Sequence, residues 1–193
     1  MTLLNRQYIR TGVGFRLLGV TRIISRYWHE TVEAGLSVSF LLSFSKNSND
    51  RVLSLHRRQT VNMNRLFHKG GSQQLNVYTV GFYSNSLNGY ATFPVSYKNN
   101  PASDGVVMLF TTLPGGASPE RQGSTLVHET GHWLGLRHTF ENGCLPPGDG
   151  VDDTAPEAEA ARGCPIGRTS CPGSALADPI RQRSFISSSY TLC

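Results

Sequence analysis

A chain of 193 residues with 38% hydrophobic residues is long enough for one sizeable core, so we expect a single domain over residues 1–193. Charged residues make up only 16%, and 20 Gly and 10 Pro favour a loop-rich α+β protein over a helical bundle. The net charge is +5, but no continuous basic run with interleaved aromatic residues and no apolar run of membrane-spanning length is present. We therefore expect neither nucleic acid nor a membrane as a partner, and we expect a monomer.

The first predicted element is a strand over residues 12–20, where apolar residues alternate with polar or small ones. Residues 21–28 can continue it. Residues 35–55 have neither a helical nor a strand period, because an apolar run at 36–44 passes into the polar cluster 45–50. We interpret residues 35–55 as a loop or an inserted segment.

A short helix is predicted from residue 60, and Lys69-Gly70-Gly71 is typical of its end. Three strands should follow, at residues 75–80, 89–94 and 105–110, the second of them limited by Pro94. Together they predict a small twisted sheet. A helix is expected next, from about residue 120 to 135, and everything beyond His138 has the composition of a loop.

The predicted helix carries the pattern of a zinc site. His128 and His132 are four residues apart, so both imidazoles lie on the same helix face and can bind one ion. Gly135 can adopt the positive φ that ends a helix sharply, which lets His138 return as a third ligand. Three protein ligands leave a fourth position for water, the arrangement of a catalytic zinc site.

Glu129 has the position of a general base. It is rotated by about 100° from His128 on the helix and can reach a zinc-bound water without being a ligand. Zinc lowers the pKa of such a water to about 7, so Glu129 can accept its proton, and peptide hydrolysis follows. A bare H-E-x-x-H pattern arises often by chance. The longer pattern here also fixes Gly135 and His138, which makes a genuine zinc site the better interpretation.

The cysteines lie in the last quarter of the chain, at Cys144, Cys164, Cys171 and Cys193. An even number in a Gly- and Pro-rich region indicates two disulfides and an oxidising compartment, with three connectivities possible. A second metal site is the alternative, but no C-x-x-C pair supports it. Residues 1–30 lack the apolar core of a signal peptide.

Beyond the zinc motif, several segments resemble the pappalysin family of metzincin zinc metalloproteases, and are similar to its secreted fungal members. The resemblance covers about residues 5–34 and 59–180. The matching segments, in family order, are residues 75–78, 89–94, 104–107, 123–127, 138–140, 148–154 and 163–165.

This resemblance implies a zincin-like α+β fold, in which a twisted mixed sheet packs on the active-site helix. Residues 1–135 would form an upper subdomain, and residues 136–193 a short, loop-rich and incomplete lower subdomain. It also implies secretion, protein or peptide substrates, and disulfides Cys144–Cys171 and Cys164–Cys193. Calcium is a frequent ion in the family, and its oxygen ligands would come from Asp149, Asp152, Asp153 and Thr154, although a solvated loop explains this acidic turn equally well.

The chain departs from the family after residues 178–180. Relatives have a methionine turn beneath the zinc, whereas no methionine follows Met108 here, and residues 181–193 are unlike the family turn. Our first hypothesis is a secreted zinc-dependent endopeptidase with Glu129 as general base and acid. The alternative is a zinc-binding pseudo-protease that lacks the methionine turn.

Overall fold

The computed structural model describes residues 1–31, 63–82, 87–118, 121–163 and 165–180. The interpretations of residues 35–55 and 181–193 lie outside these residues. The helices are α1 (Thr2–Tyr8), α2 (Arg26–Thr31), α3 (residues 63–67), α4 (Pro94–Tyr97) and α5 (Ser124–Trp133). The strands are β1 (Val77–Val80), β2 (Gly89–Ala91) and β3 (Val106–Leu109).

The three strands form one mixed sheet in the order β1-β3-β2, which confirms the sheet predicted ahead of the zinc motif. Strand β3 lies in the centre, parallel to β1 with Val106 opposite Val77, and antiparallel to β2 with Met108 opposite Gly89. Strand β2 ends two residues before Phe93 and Pro94, as expected for a strand limited by a proline. Strand β2 is therefore an edge strand of the sheet, and α5 contacts both β2 and β3.

Helices cover both faces of the sheet. On one face, Val107 packs in a cluster with Val80, Phe82 and Met63, the last of which begins α3. Successive side chains of a strand point to opposite faces, so Val106 and Met108, both fully buried, face the other side, where α5 packs. The sheet is thus the middle layer and positions α5 against its edge strand.

The predicted zinc helix is confirmed as α5, shorter than expected. It begins after Gly123, whose φ of +91° is left-handed, and it ends before Gly135, whose φ is +103°. A second small cluster fixes its outer side, where Val127 packs with Leu4 and Tyr8 of α1. The Tyr8 hydroxyl also donates to the Val127 carbonyl at 3.0 Å, which anchors α1 directly to α5.

The strand predicted over residues 12–20 is wrong, and so is its continuation to residue 28. Residues 13–25 form no helix or strand, and α2 occupies Arg26–Thr31. The Asn5 side chain takes the place of a partner strand, since its amide donates to the Phe15 carbonyl at 2.8 Å and its oxygen accepts from the Phe15 amide at 2.7 Å. Leu17, Leu18 and Val20 are then left exposed, so alternation alone did not indicate burial.

We call residues 136–163 and 165–180 the loop segment. Its described residues contain turns and bends but no helix or strand, as predicted. A disulfide joins Cys144 to Cys171, the pairing that the family resemblance implied. The pairing of Cys164 with Cys193 lies outside the described residues. None of the described helices is long and apolar enough to cross a membrane.

Candidate metal centre

The structure brings the three predicted histidines together. One ring nitrogen from each of His128, His132 and His138 lies within 4.8 Å of the other two. The first two come from successive turns of α5 and are 6% and 7% exposed. After the helix, the Leu136 amide donates to the Gly131 carbonyl at 2.9 Å, and this tight turn through Gly135 leads the chain back so that His138 reaches the cluster.

The spacing of the ring nitrogens suits zinc. Zinc binds imidazole nitrogen at about 2.0–2.1 Å in a tetrahedron, which places two ligand nitrogens about 3.3 Å apart. The Nε2 atoms of His132 and His138 are 3.2 Å apart. Two ring nitrogens this close, facing one another in a partly buried site, are what a shared cation requires.

The protonation of the histidines also suits a metal. The Nδ1 atom of His132 lies 2.8 Å from the Leu136 carbonyl, so Nδ1 carries the proton and donates it, and Nε2 is left free as a ligand. Burial lowers the pKa of His132, against opposing effects of that hydrogen bond and of Glu141. Burial, and then the neighbouring His132, lower the pKa of His138 to about 4. Both shifts favour the neutral imidazole, the form that binds a metal.

Glu129 directly follows His128 on α5 and is not part of the histidine cluster. Its side chain is only 2% exposed, and it is not one of the grouped ligands among the described residues. The carboxylate packs under the edge strand, where a Cβ on Gly89 would lie 3.0 Å from Glu129 Cγ and 3.2 Å from its Oε1. Strand β2 thus leaves room for this carboxylate only because residue 89 has no side chain.

Asp104 ties the end of α5 to the edge strand. Its Oδ2 accepts from Trp133 Nε1 at 2.9 Å, and its Oδ1 accepts from the Thr92 hydroxyl at 2.9 Å. Asp104 is 3% exposed, so both bonds are made away from water. Asp104 begins a segment that resembles the family, but no local sequence pattern predicts its role, because its partners are 12 and 29 residues away.

Two aromatic side chains frame the histidines. Phe140 stacks on His138 with ring centroids 4.8 Å apart and planes 18° apart. Phe93, just after β2, approaches His132 at 5.3 Å. Apolar rings at these positions keep water from the imidazoles and so contribute to the burial that favours their neutral forms.

The acidic turn is not assembled as a metal site. Within the described residues, the three histidines are the only group of three or more His, Cys, Asp or Glu side chains placed to hold an ion. Asp152 and Asp153 are exposed, and the Asp149 carboxylate accepts from the Val151 amide at 3.0 Å. The calcium ligands Asp149, Asp152, Asp153 and Thr154 therefore stay a prediction from the family resemblance.

With this geometry in place, the chain can be compared with known protein families. Residues 71–180 match the family Peptidase_M43, described as pregnancy-associated plasma protein-A. The match spans more than half of the chain and includes both the sheet and the histidine cluster. The chain belongs to this family, which confirms the resemblance to the pappalysins inferred from the sequence.

Curated relatives include fungal extracellular metalloproteases. The chain is 37% identical over 185 residues to one from Verticillium alfalfae, covering 93% of this chain and 56% of that protein. It is 43% identical over 122 residues to one from Podospora anserina, covering 61% of this chain and 41% of that protein. The chain therefore spans about half the length of the curated relatives that it matches.

Solved structures include mature mirolysin of Tannerella forsythia, a metzincin, in complex with a cleaved peptide. The TM-score is 0.56 at 25% identity, over 68% of this chain and 54% of mirolysin. This likeness confirms the expected zincin-like α+β fold.

Proposed function

We propose that the chain is a secreted zinc-dependent endopeptidase that hydrolyses peptide bonds in protein substrates. His128, His132 and His138 would hold the ion, with Glu129 as general base and acid. The observation that carries this proposal is the histidine cluster, in which two of the three side chains are buried and two ring nitrogens lie 3.2 Å apart, with a buried carboxylate next to it in the sequence.

The chain's own residues have separate tasks in this reaction. When bound, zinc would supply the Lewis acidity that makes a water molecule nucleophilic at neutral pH. Glu129 would hold the proton of that water on its carboxylate and return it to the departing amine. The Leu136 carbonyl would keep His132 in the tautomer that leaves Nε2 free. Because Glu129 is 2% exposed, its proton would pass to the substrate rather than to bulk water.

Two observations support an extracellular location. The curated relatives are extracellular metalloproteases. The Cys144–Cys171 disulfide in turn requires an oxidising compartment to persist. We further propose that residues 1–135 and 136–193 form the two sides of one catalytic domain, that Cys164 pairs with Cys193, and that the protein is a monomer.

The test compares casein hydrolysis by the zinc-loaded chain with that by two glutamate variants. Glu129→Gln should lower kcat by about 10²–10⁴-fold, the contribution of a general base, while the zinc content stays at one ion per chain. A chelator should abolish hydrolysis by the parent, and added zinc should restore it. Glu159→Gln is the matched control and should cleave as the parent does, since that side chain is 84% exposed and its 3.7 Å ion pair with Arg168 is a weak surface contact.

A zinc-binding protein without turnover is the second candidate, favoured by residues 181–190, which follow Asp178-Pro179-Ile180 without the methionine of the family turn. In that case the chain binds one zinc ion through the same histidines and cleaves nothing. Zinc-loaded parent and Glu129→Gln proteins that are equally inactive would establish this candidate and exclude the peptidase.

A further inference from the structure

The third histidine lacks the support that the first two have. His128 and His132 are fixed by the backbone of α5, whereas His138 belongs to the loop segment, which has no helix or strand among its described residues. The His132 ring is also oriented by its bond to the Leu136 carbonyl. Within the described residues, no such orienting carbonyl or carboxylate bond is made by the His138 ring, which stacks on Phe140 and otherwise contacts the other two histidines of the cluster. Its position therefore depends on how its own backbone is held.

The neighbouring residue is held by a buried carboxylate. Thr139 directly follows His138, is 3% exposed, and donates its hydroxyl to Glu157 Oε2 at 2.5 Å. Glu157 is fully buried, and its other oxygen accepts from the Ala161 amide at 3.2 Å and from Arg168 at 3.3 Å. All the partners of this carboxylate lie within the loop segment, so they hold Thr139 to that segment and not to the sheet.

Arg168 links this carboxylate to a second one. Its Nη1 lies 3.3 Å from Glu157 Oε1 and its Nε lies 3.2 Å from Asp178 Oδ2, and both acidic side chains are fully buried. Asp178 is fixed in turn, since its Oδ1 accepts from the amide and the hydroxyl of Ser170, each at 3.0 Å. A single guanidinium thus joins two buried carboxylates that are 21 positions apart in the sequence.

We infer that Glu157 is a positioning residue for the third zinc ligand. A buried hydrogen-bond and ion-pair network fixes the backbone at His138, which no helix holds in place. Its members are Thr139, Glu157, Arg168 and Asp178. This inference rests on the zinc site of the proposed function. A charged network suits the task because hydrogen bonds to a buried carboxylate are directional and costly to break, unlike apolar contacts. Glu157 touches neither zinc nor substrate in this role and acts through Thr139.

The test removes one hydroxyl and measures zinc affinity on the full chain. Thr139→Val leaves both ion pairs in place and should weaken zinc binding about 10-fold, the lower range for loss of an outer-shell partner. Affinity is read by competition with a chromophoric chelator, and the absorption spectrum of the Co²⁺-loaded protein gives a second readout of ligand geometry. Thr139→Ser keeps the hydroxyl and should restore both the affinity and the spectrum.

Thr112→Val is the matched control. Thr112 is fully buried and donates one hydroxyl bond, to the Leu109 carbonyl at 2.7 Å, on the sheet side of the molecule. It should lower the free energy of unfolding and leave zinc affinity unchanged. If Thr139→Val and Thr112→Val bind zinc equally tightly, the network is merely structural and the inference is overturned, while the proposed function stands. If the parent itself binds no zinc, the proposed function and this inference are both wrong.

Discussion

The two parts of the chain that meet at the histidine cluster are stabilised by different interactions. The sheet and α5 bury apolar side chains, with Val106, Val107 and Met108 of the central strand at most 1% exposed. The loop segment instead buries an ion-pair network, in which Arg168 joins the carboxylates of Glu157 and Asp178, and it carries the Cys144–Cys171 disulfide. The sheet and α5 supply His128 and His132 from a regular helix, whereas the loop segment supplies His138 from irregular structure.

This difference predicts different responses to mutation. Apolar packing is spread over many weak contacts, so that loss of one side chain removes a limited share of it. A buried ion pair concentrates its effect, because loss of one partner leaves the other charged and unsolvated. We therefore expect single substitutions in the loop segment to cost at least as much as those in the sheet, although the loop segment has no regular structure.

The largest effect is expected from Arg168→Met. The substitution leaves the buried carboxylates of Glu157 and Asp178 without their cation and should lower the free energy of unfolding by about 3–5 kcal/mol. Urea denaturation measures it. Arg137→Met, at an exposed arginine, is the control and should change little. Equal costs for the two arginines would refute the role given to the buried network.

The second largest loss of stability is expected from removal of the disulfide. The double variant Cys144→Ala, Cys171→Ala opens a loop with a sequence separation of 27. A loop of this length corresponds to about 3.5 kcal/mol of stability through the entropy of the unfolded chain. Urea denaturation of the double variant and the parent measures this difference in the free energy of unfolding. An unfolding free energy equal to that of the parent would show that the loop segment does not depend on this crosslink.

Met108→Ala tests the sheet side. Met108 is fully buried in the central strand, so its truncation leaves a cavity and should cost about 3 kcal/mol. Val95→Ala, at a residue that is 82% exposed, is the control and should be nearly neutral. A cost clearly above that of Arg168→Met would reverse the comparison between the two parts.

Gly89→Ala sharpens the comparison at the site itself. The added methyl would meet Glu129 Cγ at 3.0 Å and Thr125 Cγ2 at 3.1 Å, which forces a small displacement of the proposed general base. We expect kcat to fall several-fold with little change in KM, and a stability loss of about 1 kcal/mol from overpacking. At Gly14, where nothing lies within 4 Å of an added Cβ, the same substitution should affect neither quantity. Unchanged kcat in Gly89→Ala would show that Glu129 tolerates the shift.

The smallest effect is expected at alkaline pH. Burial, and then the charge of Asp104, raise the pKa of Tyr78 to about 12. The folded chain then holds this proton more tightly than the unfolded chain, in which tyrosine titrates at about 10. Tyr78 therefore contributes stability that is complete below about pH 10 and is lost as the pH rises toward about 12.

Tyr78→Phe should flatten that alkaline decline in urea denaturation experiments. The substitution is well suited because the Tyr78 hydroxyl is buried with no hydrogen-bond partner among the described residues. Tyr97→Phe, on α4, is the control. An alkaline decline that is as steep in Tyr78→Phe as in the parent would contradict the assignment.

Much of the candidate site could be predicted from the sequence because its signals are local. His128 and His132 are one helical turn apart, and Gly135 permits the positive φ that follows. The three strands before them are short segments bounded by Gly or Pro, and all three are confirmed. The strand prediction for residues 12–20 was wrong for the opposite reason, because a strand needs a distant partner strand. The Phe15 backbone bonds to the Asn5 side chain instead.

The sequence by itself determined the three histidines, the neighbouring Glu129, and the family to which the chain belongs, because each depends on residues close together in the chain. Only the tertiary structure decided that Asp104 joins Trp133 to Thr92, and that Arg168 joins Glu157 to Asp178. These contacts bring together residues 10 to 29 positions apart across turns of irregular conformation. No periodicity encodes such a distance, so a buried carboxylate and its partner can be recognised only once the chain is folded.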